Sequence, residues 1–84
     1  MNKIMQLVLD IMQLGIELSK NTKADVFVEY SGHVDLLSVR IYAGGWEKGV
    51  EHYDRYVYLD IKPDRSKEDI IETLEEIYAE LANI

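Results

Sequence analysis

The chain contains no cysteine among its 84 residues. This absence excludes disulfides, thiolate zinc sites and cysteine nucleophiles, and it fits a reducing cytoplasm. A long apolar run is also missing, because Gln6, Asp10 and Gln13 interrupt the apolar residues near the N-terminus. We therefore expect neither an export signal nor a membrane span, and we predict a cytoplasmic location.

Basic side chains are few, with nine Lys and Arg residues against sixteen Asp and Glu residues, for a formal net charge of −7. Because such a charge repels phosphate backbones at long range, nucleic acid is not expected as a direct partner. The acidic residues are dense near the C-terminus, where the candidate acidic surface consists of Glu68, Glu72, Glu75 and Glu76. This surface is either a solvated helix face or a binding site for a basic partner.

The order of hydrophobic patterns limits the fold more than the function. A helical period comes first, three strand-like runs follow, and a second helical period ends the chain. A chain of 84 residues is too short for two cores, so residues 1–84 are predicted to form a single domain. We expect an α+β fold of order α-β-β-β-α, with a three-stranded antiparallel meander and both helices packed on one face.

Polar residues from Asn2 to about Lys20 recur at intervals of three and four, which predicts the first helix. The apolar stripe expected to pack on the sheet is Ile4, Leu7, Val8, Ile11, Leu14 and Leu18. A further apolar group beside that stripe, called here the apolar flank, is Met5, Leu9, Met12 and Ile16. Because exposed apolar patches rarely persist in monomers, either the last helix covers this flank or a second subunit or partner protein does.

Alternation of apolar and polar residues predicts strands over about 26–30, 35–42 and 56–61. The side chains expected to face the helices are Val26, Val28, Tyr30, Leu37, Val39, Ile41, Val57, Leu59 and Ile61. The opposite face, called here the outer sheet surface, is expected to carry Phe27, Glu29, Leu36, Ser38, Arg40, Tyr42, Tyr56 and Tyr58.

The outer sheet surface has two interpretations. Tyrosine suits a half-exposed strand, and aromatic cross-strand pairs stabilise a sheet without any further role. Tyrosine, tryptophan and arginine are also the side chains most enriched at binding hot spots. On the second interpretation, the predicted partner-binding residues are Arg40, Tyr42, Trp46, Tyr56 and Tyr58.

The connection from Ala43 to Arg55 contains Trp46, the only tryptophan of the chain. Gly44, Gly45 and Gly49 surround it and loosen the backbone. A tryptophan in such a loop either folds onto the edge of the core or projects as an anchor for a partner. The sequence leaves both alternatives open.

The start of the closing helix is well marked. Pro63 ends the last strand, and Ser66 with Asp69 forms a near capping box in which aspartate replaces the usual glutamate. The stripe expected to be buried is Ile70, Leu74, Ile77, Leu81 and Ile84, with Ile71 and Tyr78 beside it.

Groups that could perform chemistry are confined to two predicted turns. His33 lies near Asp35, and His52 lies near Glu51 and Asp54. Neither group repeats a metal-ligand spacing, and no serine or lysine is placed beside a histidine as an activated nucleophile requires. We therefore expect no enzymatic activity, no metal and no cofactor.

The order of helix, three strands and helix is similar to that of the double-stranded RNA-binding domain, in which both helices also lie on one sheet face. That family grips phosphates with basic residues at the start of its last helix. This chain has Ser66, Lys67, Glu68 and Asp69 there, so the resemblance implies the topology and not the RNA-binding residues.

A second resemblance rests on four segments: Gly32–Asp35, Val39–Tyr42, Gly44–Glu47 and Tyr58–Asp60. They resemble segments of small proteins of unassigned function from phages and prophages of Gram-positive bacteria. In size and charge the chain also resembles anti-CRISPR proteins, which occupy nucleic-acid grooves or protein surfaces on their targets. The resemblance implies a phage accessory protein that acts in the host cytoplasm, and it brings no catalytic residues.

Three hypotheses follow. The first is a non-enzymatic interaction module that binds and modulates a host protein, through the outer sheet surface and Trp46 or through an acidic surface that mimics nucleic acid. The second is a structural or assembly protein that forms a homodimer through the apolar flank of the first helix. The third, a small enzyme or nucleic-acid binder, has the least support.

Overall fold

The computed structural model describes residues 2–48 and 52–84. The elements are α1 (Lys3–Asn21), β1 (Asp25–Ser31), β2 (Leu36–Tyr42), a short 3-10 helix (Trp46–Lys48), β3 (Tyr53–Tyr58) and α2 (Lys67–Ala82). The α+β fold of order α-β-β-β-α is therefore confirmed. Gly49 and Glu51, two residues of the predicted connection, lie outside the described residues.

The three strands form one antiparallel sheet in the order β1-β2-β3, which confirms the meander. The third strand begins at Tyr53, three residues before its predicted start, and ends at Tyr58. Tyr53 and Arg55 face the helices, and the Arg55 guanidinium reaches Glu76 of α2. Because both side chains carry polar groups, the sequence pattern did not indicate that they face inward.

The core lies between the sheet and the two helices. Ile11 of α1, Val39 of β2 and Leu74 of α2 are completely shielded from solvent. The buried cluster consists of Leu7, Ile11, Leu37, Val39, Ile41, Val57, Ile70, Leu74, Ile77 and Leu81. Because both helices share this cluster with the same face of the sheet, both pack on that face, as predicted.

Three residues predicted to be inward are exposed. Ile61 follows the end of β3 and is 61% exposed, because the chain leaves the sheet after Tyr58. Tyr30 is 54% exposed near the end of β1, where its hydroxyl donates to the Asp35 carboxylate at 2.6 Å. Ile84 is also exposed, because α2 ends at Ala82 and the last residues lie beyond the packed stripe.

The last helix does not cover the apolar flank. Met5, Leu9 and Ile16 are 44–49% exposed. The reason is the side on which α2 packs: Tyr78 of α2 lies beside Leu14, which is roughly opposite the flank around the helix. The first of the two alternatives, cover by the last helix, is therefore wrong: three flank residues are exposed and Met12 is half-buried.

Both helices begin with a capped turn. Ser66 Oγ accepts from the Asp69 amide at 3.1 Å, and the Asp69 carboxylate accepts from the Ser66 amide at 3.2 Å, so the capping box is confirmed. At the start of α1, the Asn2 side chain accepts from the Met5 amide at 2.8 Å. Within the described part of the chain, neither helix combines the length and apolarity needed to cross a membrane.

Candidate functional site

The outer sheet surface is the face of the sheet that neither helix covers. The strand register forms a row across it from Phe27 to Arg40 to Asp54. A second row runs from Glu29 to Ser38 to Tyr56. Since side chains alternate between the two faces of a strand, Arg40, Tyr42, Tyr56 and Tyr58 share this face, as the sequence predicts.

Arg40 occupies the central strand of this surface. Its guanidinium donates to Glu29 Oε1 at 2.9 Å and lies 5.4 Å from the centre of the Phe27 ring. The side chain is still 40% exposed. The arginine is thus held in place by a neighbouring strand while part of it remains accessible to a partner.

Two aromatic pairs lie on this surface. Phe27 and Tyr42 meet edge to face with ring centres 5.7 Å apart. Tyr56 and Tyr58 meet in the same manner at 6.0 Å. Such pairs stabilise a sheet, but Tyr56 remains 62% exposed, so most of its surface is not used by the fold.

Tyr58 is supported by a residue that sequence reasoning missed. The Arg65 guanidinium lies 4.8 Å from the centre of the Tyr58 ring and donates to the Asp60 carbonyl at 2.9 Å. Lys62 and Arg65 exchange two backbone hydrogen bonds around the turn that contains Pro63. Proline followed by aspartate favours a turn, so Pro63 and the next residue are the sequence feature that could have indicated this turn.

Asp60 anchors this loop electrostatically. Its carboxylate forms ion pairs with Arg65 and, at 3.4 Å, with Lys62. Burial acts to raise the pKa of this carboxyl group, but the hydrogen bond from Lys62 and the charges of Arg65 and Lys62 outweigh burial, so its pKa is lowered. The ionised form of Asp60 is therefore favoured in the folded chain.

Trp46 projects from the fold instead of packing onto the edge of the core. Its side chain is 59% exposed. Its backbone N–H donates to Asp25 Oδ2 at 3.0 Å, which fixes the start of the loop beside β1. The preceding Gly45 has a φ of +97°, a conformation that L side chains rarely adopt. The loop geometry around Trp46 therefore depends on a glycine at position 45.

The structure does not bring all the predicted partner-binding residues together. Asp25 pairs with Tyr42, so Trp46 lies at the Tyr42 end of β2. Tyr58 pairs with Leu36 at the other end of that strand, which is six residues, or roughly 20 Å, away. A partner that contacts both Trp46 and Tyr58 must therefore extend along the whole central strand.

The four glutamates of the candidate acidic surface on α2 differ in whether they form an ion pair. Glu76 forms an ion pair with Arg55 at 3.2 Å, which neutralises part of its field. Glu68, Glu72 and Glu75 form no ion pair with any residue in the ranges 2–48 and 52–84. Three of the four predicted acidic residues thus present unneutralised charge to solvent.

His33 lies in a turn, as the sequence predicts, whereas His52 lies next to α2. His52 Nε2 lies 3.4 Å from Glu80 Oε1 of α2, a partner that sequence proximity did not indicate. His33 lies exposed in the turn between β1 and β2. Within the described parts of the chain, no three acidic or histidine side chains come close enough to hold a metal ion together.

No protein-family model, curated protein or solved structure matches this chain.

Proposed function

We propose that this chain is a non-enzymatic interaction module that binds a protein partner through the outer sheet surface. One observation supports the proposal above all others: aromatic side chains and Arg40 lie on the sheet face that neither helix covers. Tyrosine side chains have few rotatable bonds, and Arg40 is already held by its hydrogen bond to Glu29, so these side chains lose little conformational freedom on binding. The partner face should be apolar at its centre and carry an acidic or carbonyl group opposite Arg40.

The resemblance to phage and prophage proteins supplies the class of partner. On this proposal the chain is a phage accessory protein, and the partner is a host protein in the cytoplasm whose activity the chain modulates. An anti-CRISPR or other anti-defence role is one form of this proposal. Inhibition would then result from occupation of a functional surface on the target.

The test is affinity capture with the tagged chain from a nuclease-treated lysate of a Gram-positive host, followed by mass spectrometry and a binding titration of the captured protein. Tyr56→Thr is the informative variant, because threonine keeps the strand preference and Tyr56 is mostly exposed. We expect it to weaken binding by about 5–30-fold, or about 1–2 kcal/mol.

The matched control is Tyr78→Ala, which removes a half-exposed tyrosine from α2. It should leave the binding constant unchanged. Equal binding by the parent chain, Tyr56→Thr and Trp46→Ala, with all three folded, would contradict the proposal.

A second candidate function uses the acidic surface. Glu68, Glu72 and Glu75 lie on the exposed side of α2, and the absence of ion pairs with described residues leaves them able to face a basic, nucleic-acid-handling protein. Binding through these residues would weaken steeply as salt rises, because exposed charges are screened. Binding through the aromatic residues would respond weakly to salt, so a salt titration separates the two candidates.

A further inference from the structure

The apolar flank of α1 is a second exposed surface, separate from the outer sheet surface. Met5, Leu9 and Ile16 are 48%, 44% and 49% exposed. The helix that carries them packs on the inner face of the sheet, so the flank and the outer sheet surface lie on different sides of the domain. An exposed apolar stripe of this kind is typical of a contact surface.

The spacing of the flank is the same in both chain directions. Its four residues are separated by intervals of four, three and four, the spacing of a and d positions in a coiled coil. Turning a second copy end for end places Met5 opposite Ile16 and Leu9 opposite Met12. Every layer of such an antiparallel pair would join two apolar side chains.

The charges at the margins of the flank also favour self-association. Gln6, Gln13 and Lys20 follow the flank residues on one side, and Val8 and Gly15 precede them on the other. Such positions face each other across a coiled-coil seam, and none of these residues is acidic. In this fold Val8 packs against the core and Gly15 is buried against Val26 of β1, so only the side with Gln6, Gln13 and Lys20 is open to a second copy. Glu17 lines the hollow over the flank together with Lys20, so this margin carries a charge of each sign.

Each end of the flank adjoins a hollow. Beside Met5 lies a hollow of about 290 Å³ that Tyr30 and Leu59 help to line. Beside Ile16 lies a hollow of about 260 Å³ lined in part by Gly15 and Val26. In an antiparallel pair, the Met5 end of one copy would meet the Ile16 end of the other, so each hollow would lie close to the second copy.

We propose that a second copy of this chain covers the apolar flank, forming a symmetric dimer in which the two α1 helices pack antiparallel. The interface is isologous: the same surface of each copy is buried, with Leu9 and Met12 next to the two-fold axis. The two outer sheet surfaces then remain open, and the dimer presents two copies of the partner-binding surface.

Sedimentation at increasing protein concentration tests the dimer. We expect the parent chain to be dimeric at high micromolar concentration and Leu9→Glu to raise the dimer dissociation constant at least about tenfold, because it places a charge in the apolar layer. Ala79→Glu, which adds the same charge to an exposed position of α2, is the control and should remain dimeric. A parent chain that stays monomeric at high micromolar concentration would overturn the proposal.

A cross-linking measurement tests the antiparallel register without relying on a destabilising variant. Because the chain has no native cysteine, Met5→Cys and Ile16→Cys proteins can be prepared separately and mixed under oxidising conditions. The proposal predicts a disulfide-linked heterodimer in the mixture and little cross-linking of either protein alone. Efficient cross-linking of Met5→Cys to itself would overturn the antiparallel arrangement.

The proposal is independent of the proposed function. A parent chain that stays monomeric but binds its partner would contradict only the dimer, and equal partner binding by the parent chain and Tyr56→Thr with an intact dimer would contradict only the proposed function.

Discussion

Arg65 lies over the Tyr58 ring, with its guanidinium carbon 4.8 Å from the ring centre, and it also donates to the carbonyl and carboxylate of Asp60. The loop that precedes α2 is thus connected to the outer sheet surface through one arginine. This contact limits the rotation of Tyr58, whose neighbour Tyr56 has no comparable cation above it among the described residues. The two tyrosines therefore differ in their contacts and exposure: Tyr58 is 37% exposed and Tyr56 is 62% exposed.

The Asp60 anchor predicts a pH-dependent contribution to stability. The pKa of Asp60 is lowered in the folded chain because hydrogen bonding from Lys62 and the charges of Arg65 and Lys62 outweigh burial. A lowered pKa means that this contribution is present above the unfolded value, about 3.9, and is lost as the pH falls through the folded value. We expect Asp60→Asn to lower the thermal midpoint at neutral pH, and the difference from the parent to shrink as the pH falls below about 4.

Asp64→Asn is the matched control for that measurement. It removes a carboxylate from the same loop, at an exposed position that forms no ion pair with the described residues. Its thermal midpoint should follow that of the parent at each pH. A difference between Asp60→Asn and the parent that is the same at neutral and acidic pH would contradict the assignment.

Gly45 is predicted to resist substitution. Its φ is +97°, and an added Cβ would lie 3.2 Å from the Lys23 carbonyl oxygen. We expect Gly45→Ala to lower the free energy of unfolding by about 1–2 kcal/mol in a denaturant titration. Gly44→Ala is the control, because Gly44 does not have a positive φ, and it should be neutral or slightly stabilising. Similar losses in both variants would show that the backbone of position 45 has no special role.

Because the core lies on one face of the sheet only, replacing leucine by alanine should lower the free energy of unfolding by different amounts on the two faces. Leu74 of α2 is fully buried between helix and sheet, whereas Leu36 lies half-buried on the outer sheet surface. We expect Leu74→Ala to cost about 2–5 kcal/mol of unfolding free energy and Leu36→Ala less than half of that. Equal costs measured by denaturant titration would mean that the outer sheet surface is covered in solution.

The local parts of this fold were predictable from sequence. Ser66 and Asp69 mark the start of α2 because a capping box depends only on residues close together in the chain. Val39 and Ile41 alternate with Ser38 and Arg40, and the structure buries the first pair as predicted. The same alternation predicts the residues of the outer sheet surface.

The parts that depend on distant contacts were not predictable in the same way. The sequence does not say on which side of α1 the second helix packs, so the exposure of the apolar flank became clear only from the position of Tyr78. Ile61 resembled a strand residue, but pairing with β2 ends at Tyr58. The contact between Arg65 and Tyr58 depends on a turn whose direction the sequence does not specify.

The central claim is that a partner protein binds the outer sheet surface, and site-specific photo-cross-linking tests it most directly. A photoreactive residue would replace Tyr56 in one protein, Glu72 of the acidic surface in a second, and Leu9 of the apolar flank in a third. The three proteins would be irradiated in the nuclease-treated host lysate. We predict that a single host protein is cross-linked strongly from position 56 and weakly from the other two. Cross-linking of that protein from position 72 but not from position 56 would contradict the account.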